Sequence, residues 1–182
     1  MTDESRTVEA PEGTERIGAI ACWAFGVAWA IWGLTGVSAG FALAAAIVAV
    51  LAVAVAVTVF RGGDGRRPRR LPRDWQRRYN LLVVAQFVLI FLASLGLGMV
   101  GVPELIPPAI CLIVGIHFIP LAGIFDMPAY RVTALGLCGV AVIGGALLAP
   151  TGAATVRAVV GLGAALVLWA AAVSVQLGYF SR

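Results

Sequence analysis

The sequence predicts an all-α integral membrane protein, a bundle of six transmembrane helices built of antiparallel hairpins. Three observations predict it. The 182-residue chain is 61% hydrophobic and only 12% charged, with a mean hydropathy of +0.99, which is more apolar sequence than a soluble domain of this size can bury. Its apolar residues fall into six runs, roughly 17–36, 37–60, 81–101, 105–125, 132–149 and 158–178. Each is at or near the 18 or more residues a spanning helix needs. Charge gathers outside them: residues 61–78 hold eight arginines and two aspartates, whereas residues 105–125 hold no formal charge.

Residues 1–16 precede the first run and carry five carboxylates against Arg6 and Arg16, the composition of a disordered acidic tail. Residues 17–182 then form one six-helix domain. The tail lacks the positive start of a secretory signal, so the first run is expected to be retained as a span. Ala19-Ile20-Ala21-Cys22 has the outline of a lipoprotein cleavage site, but the apolar run follows the cysteine instead of preceding it.

The first two runs are separated by only 34–40, which predicts a tight hairpin. Small residues recur four apart at Gly18, Cys22, Gly26 and Ala30 in the first run and at Ala170, Ser174 and Gly178 in the sixth. Such stripes let helix backbones approach closely, within the bundle or in a homo-oligomer. Trp29 and Trp32 fall toward the outer membrane interface, and Trp23 and Trp169 lie deeper, between helices. Gly36, Gly101 and Gly152 each follow an outward run. They read either as a hairpin repeated three times or as glycine doing ordinary turn work.

Orientation follows from the loop between Arg61 and Arg78, which carries a net charge of +6. Basic residues of short loops stay cytoplasmic, so this loop is inside the cell membrane, and with six spans both termini are inside as well. Arg131 agrees and Arg157 falls outside. The same loop suits anionic lipid headgroups. The expected surroundings are thus the bilayer, and nucleic acid is not expected as a partner.

The fourth run carries the chain's single histidine, His117. Pro120 cannot donate to the Ile116 carbonyl, and Pro107 and Pro108 cannot donate to Pro103 and Glu104, so this helix is expected to be proline-broken, with freed acceptors beside the imidazole. Ionisable groups at membrane depth face the bundle interior or a wet cavity. Counted from the cytoplasmic ends at about 1.5 Å per residue, Gln86, His117 and Cys138 all lie ~10 Å deep. A pocket floored by His117 and Gln86, with Asp126 and Tyr130 at its mouth, is the candidate binding site. Glu104 and Arg157 share a depth on the outer side and form a candidate ion pair.

Several chemistries are excluded. All 13 basic residues are arginine, so neither a Schiff base nor a phosphate-loop lysine can form. With one histidine, three scattered cysteines and no carboxylate cluster, a transition-metal site is not expected, and no pattern calls for a cofactor. The run Gly115-Ile116-His117-Phe118-Ile119-Pro120-Leu121-Ala122, followed by Phe125 and Tyr130, resembles a motif of small multi-pass bacterial membrane proteins of no assigned activity. The resemblance implies a similar helical bundle and carries no catalytic role onto His117.

Three function classes stay open. A small carrier or channel for a solute, ion or proton is favoured by a mid-depth histidine on a proline-bearing helix. An accessory protein would use the small-residue stripes to bind another membrane protein. A membrane-embedded enzyme acting on a lipid or isoprenoid would use His117 or Asp126 as acid or base; the absence of paired intramembrane carboxylates counts against it, and no catalytic residue is assigned.

Overall fold

The computed structural model describes residues 7–9, 13–61 and 70–177. Six helices, all long and apolar enough to cross a membrane, make it a multi-pass helical bundle: α1 (Thr14–Leu34), α2 (Phe41–Arg61), α3 (Trp75–Val100), α4 (Ile106–Ile124), α5 (Pro128–Thr151) and α6 (Ala153–Leu177). The shortest, at 19 residues, still spans about 28 Å at about 1.5 Å per residue, close to the ~30 Å hydrocarbon core.

Half of the helix ends lie outside the apolar runs, because helices continue beyond the hydrocarbon. α3 starts at Trp75, with its first turns carrying Arg77 and Arg78. α5 starts at Pro128, since proline is favoured in a first turn whose N–H groups lack partners. The same logic corrects the expectation for α4. Pro107 and Pro108 sit in its first turn, Pro103 opens a preceding 3₁₀ turn (Pro103–Leu105), and the helix runs unbroken past Pro120.

Two helix ends close alike. After α3, Gly101 turns left-handed (φ 80°) and the Val102 amide donates to the Leu97 carbonyl at 3.0 Å. After α4, Asp126 takes that position (φ 46°) and the Met127 amide donates to Ala122 at 3.1 Å. Both are the αL closure that satisfies orphan carbonyls. Gly152 also has a positive φ (83°) but an extended ψ (173°), whereas Gly36 has no positive φ and instead packs against Ala154 and Ala158. These three turn glycines therefore do different work, which tells against a repeated hairpin.

The helices follow an arc in the order α3, α4, α5, α6, α1, with α2 packed on α1 and α6. Although α1 and α2 are joined by a short turn, the main neighbour of α1 is α6. Half of α6 is buried and none of α3. Cys22, Gly26, Ala30 and Gly33 are buried in the α1–α6 seam, as the stripe on the first run predicts. Here the backbones of Gly33 and Gly161 touch, and the Trp169 indole lies over Gly26. Trp169 Nε1 donates to the Trp23 carbonyl at 3.2 Å, and Trp23 Nε1 donates to Ala52 of α2 at 2.9 Å. One relay thus joins three helices.

On α6 the expected stripe is the wrong face. Ala170 is exposed, Ser174 is half-buried and Gly178 lies outside the described residues. The packed face carries Gly161, Ala164, Leu168 and Ala172. In a helix this rich in small residues, four-residue spacing occurs on several faces.

Of the acidic segment, residues 1–6 and 10–12 lie outside the described residues, and a disordered tail is not what the described part forms. Thr7–Glu9 (β1) pairs antiparallel with Arg70–Pro72 (β2), with Val8 opposite Leu71. This ribbon marks one end of the bundle, where α1, α3 and α5 begin.

Candidate functional site

Because the arc does not close, α1 and α3 face each other across a cleft of about 1220 Å³. Its α1 wall runs from Gly13 at the ribbon end to Trp32. The α1 face that lines it includes Ile17, Ala21, Phe25 and Ala28, all exposed and three to four residues apart. That spacing is one helical face turned away from α6.

His117 belongs to the α4 stripe Ile110, Val114, His117 and Leu121, which lines the opposite wall. The imidazole is half-buried, faces the main-chain carbonyl of Leu82 on α3, and meets the Phe118 ring edge-on at 6.3 Å between centroids. Gln86 lies one turn beyond Leu82 and lines the same cleft. His117 and Gln86 thus both line this cleft, on α4 and α3. Cys22 lines it too, about 12 Å into α1 at about 1.5 Å per residue. Beyond this layer the wall is Phe25, Ala28, Trp29 and Trp32 against Phe87 and Ile90.

Tyr130 is buried and lines the cleft at the ribbon end, with its hydroxyl against Gly18 of α1. Only a residue without a Cβ leaves that hydroxyl its place. Asp126 is exposed in the α4–α5 turn and is not part of the lining; its position follows from the left-handed closure. Cys138 is turned onto Gly115 in the α4–α5 seam, outside the cleft. Ile116 and Pro120 are exposed on another face of α4 and are also outside the lining. The proline-freed carbonyl and the imidazole consequently do not form one polar patch. Glu104 and Arg157 are exposed, and among the described residues no ion pair joins them.

Sequence reasoning missed an aromatic cluster at the ribbon end. Phe125 contacts Trp75, Tyr79 and Tyr130 at centroid distances of 6.1–6.3 Å, and Tyr130 meets Phe118 at 5.4 Å. Such edge-on pairs each add about 0.5–1.5 kcal/mol beyond area burial. Their signal was the recurrence of aromatic residues near one end of the third, fourth and fifth runs. Trp29 and Trp32, 5.3 Å apart, also line the cleft in addition to their place near a membrane interface.

Charge lies outside this cavity's middle. Arg78 Nε donates to Asp74 Oδ2 at 2.7 Å, and this hydrogen bond holds the exposed Asp74 carboxyl below the usual carboxylate range. Arg16 ties the start of α1 to the end of α2 through the Phe60 carbonyl at 3.1 Å. Of the arginine-rich loop, residues 62–69 lie outside the described residues, while Arg61, Arg73, Arg77 and Arg78 are exposed. Among the described residues no group of three or more His, Cys, Asp or Glu stands together as a metal site would require.

Comparison with protein-family models, with curated proteins and with solved structures finds no match to this chain. Fold and site define a multi-pass membrane protein with an intramembrane cleft.

Proposed function

We propose that this membrane protein handles a lipid-like amphiphile, holding its polar part at the His117–Gln86 layer and its apolar part along the rest of the cleft. The carrying observation is the cleft itself, about 1220 Å³ with His117 and Gln86 on one wall and Phe25, Trp29, Phe87 and Ile90 beyond them. Ligand sites are mostly apolar with a few placed polar groups, and drug-sized molecules occupy about 300–1,000 Å³. This one suits a longer molecule. Among the solute classes, an amphiphile fits better than an ion, because ion sites are built from rings of carbonyls or charged side chains, and the middle of this cleft offers one imidazole and one carboxamide among apolar side chains.

An imidazole and a carboxamide supply donors and acceptors for a hydroxyl, ester, amide or carboxylate head. They bind and orient; a chemical step would need a second acid or base in reach. We infer from the arginine excess that the ribbon end is cytoplasmic, which sets His117 on the inner half of the bilayer. The exposed arginines there suit anionic headgroups, each worth about 1 kcal/mol near such a surface. An accessory role draws less support, since the α1 small-residue stripe is occupied by α6.

The test is mass spectrometry of lipids retained after purification in mild detergent. Wild-type protein is expected to keep one amphiphile enriched over the bulk membrane extract, and His117→Gln to keep less of it while folding normally. Retention of bulk lipid in bulk proportions by both proteins would remove the proposal.

A further inference from the structure

We infer that the cleft is loaded sideways, through the gap between α1 and α3, by an amphiphile with one long hydrocarbon chain that is already dissolved in the bilayer. This rests on the amphiphile reading above and adds the route, which in turn restricts the ligand to molecules that reside in the membrane.

Both helices line the cleft, yet neither packs substantially on the other: α1 is held by α6 and α2, and α3 by α4. The lips carry large apolar side chains, with Ile17 and Phe25 on α1 at 68% and 59% exposed and Phe87 on α3 at 58%. Lips of this composition are stable against hydrocarbon; a mouth opening to water would leave them hydrated at about 25 cal/mol per Å² of apolar surface. The ribbon end is lined differently: Leu71 of β2, 1% exposed, and the buried Met127 and Tyr130 stand there together with the polar Thr14, Glu15, Arg16 and Gln176. Pairing of Leu71 with Val8 fixes it there.

Length selects the occupant. From Gly13 to Trp32 the α1 wall rises about 28 Å at about 1.5 Å per residue, roughly the hydrocarbon thickness of the bilayer. Beyond the His117–Gln86 layer it offers apolar and aromatic surface only. A single chain with a polar end at that layer gives Gln86 a polar neighbour in place of bare hydrocarbon, where an unsatisfied polar group is costly, and gives the imidazole a second partner beside the Leu82 carbonyl.

The test uses protein in phosphatidylcholine vesicles containing a long-chain fatty acid with a diazirine at its methyl end. After illumination, peptide mass spectrometry compares labelling of Phe25, Trp29 and Ile90 with that of the lipid-facing α2 residues Ile47 and Val50. Enrichment in the cleft is expected. Ala28→Phe, which fills the slot, is expected to cut cleft labelling about tenfold, the effect of about 1.4 kcal/mol, and to leave α2 labelling unchanged. For the route, Phe25→Cys and Phe87→Cys are placed in a background whose native cysteines are alanine, and the pair is bridged by a bis-maleimide before the probe is added. Bridging is expected to abolish cleft labelling, with the unbridged pair labelling like wild type. If the unbridged pair fails to fold, Ile17→Cys with Tyr79→Cys bridges the same gap nearer the ribbon end. Undiminished labelling after bridging overturns the sideways route and leaves the amphiphile reading standing. No enrichment in the unmodified wild type overturns both.

Discussion

Gly161→Ala adds one methyl group at the tightest place in the bundle. Its Cβ would lie 2.8 Å from the Trp29 carbonyl oxygen and still closer to the backbone of Gly33. Those atoms are main chain, so no rotamer change can make room, and α1 must move off α6. Overpacking of this kind costs about 1–3 kcal/mol. Alanine also has an intrinsic advantage of about 1 kcal/mol over glycine within a helix, so the cost is best read against a glycine with space around it. Gly139 is such a position, inside α5 with nothing within 4 Å of its absent Cβ. The helix advantage is common to both, so the two substitutions should differ by the overpacking alone, about 1–3 kcal/mol, with Gly139→Ala the more stable. For a chain of this size that corresponds to roughly 2–12 °C in Tm. Thermal unfolding in detergent, followed by circular dichroism with monodispersity checked by gel filtration, measures the difference. Equal Tm values would refute the close α1–α6 contact and the arc built on it.

Gly26→Leu should destabilise more than Ala46→Leu, because Gly26 lies beneath Trp169 whereas Ala46 is exposed on α2; matched unfolding curves would place the α1 stripe against lipid. His117→Gln is expected to change Tm little and to weaken amphiphile retention by about tenfold, an energy of about 1.4 kcal/mol; retention equal to wild type in the lipid extract would dismiss the imidazole as an anchor. Arg73→Cys and Glu104→Cys, at opposite ends of the bundle, should react with impermeant maleimide from opposite sides of the membrane, with Arg73→Cys labelled only from the cytoplasmic side; the reverse pattern would invert the orientation. The Asp74–Arg78 pair stabilises only where Asp74 is ionised: its lowered pKa gives a contribution present above the ordinary carboxylate value and lost as pH falls through the lowered one. As both side chains are exposed, Asp74→Asn should leave Tm at neutral pH unchanged within error, and a clear drop would show a coupling that an exposed pair does not have.

The six spans were legible because hydrocarbon demands long apolar runs whatever the tertiary arrangement. The α1 stripe of Cys22, Gly26 and Ala30 was legible for a related reason, since close backbone approach has few sequence solutions. Its counterpart on α6 was misassigned because Ala170 and Ala172 look alike in sequence and differ only in which way the helix is turned. His117 and Gln86 were grouped by counting rise, and both line the cleft, although the imidazole faces Leu82, one turn nearer the ribbon end than Gln86. Counting rise gives depth without azimuth, so Cys138 was grouped with them although it packs on Gly115 across the α4–α5 seam. Proline was over-read: Pro107 and Pro108 look like breaks when the helix start is unknown and become ordinary first-turn residues once α4 begins at Ile106. Leu71 could not be foreseen at all, because its burial depends on a strand pairing between residues far apart in the chain.

The most direct measurement is an electron cryomicroscopy map of the protein in a lipid nanodisc. α1 and α3 are expected to stand apart, with one elongated density running from the His117–Gln86 layer toward Trp32 and its polar end at His117. A map in which α1 closes onto α3, or in which the cleft is filled by protein side chains with no room for a chain, would contradict this arrangement.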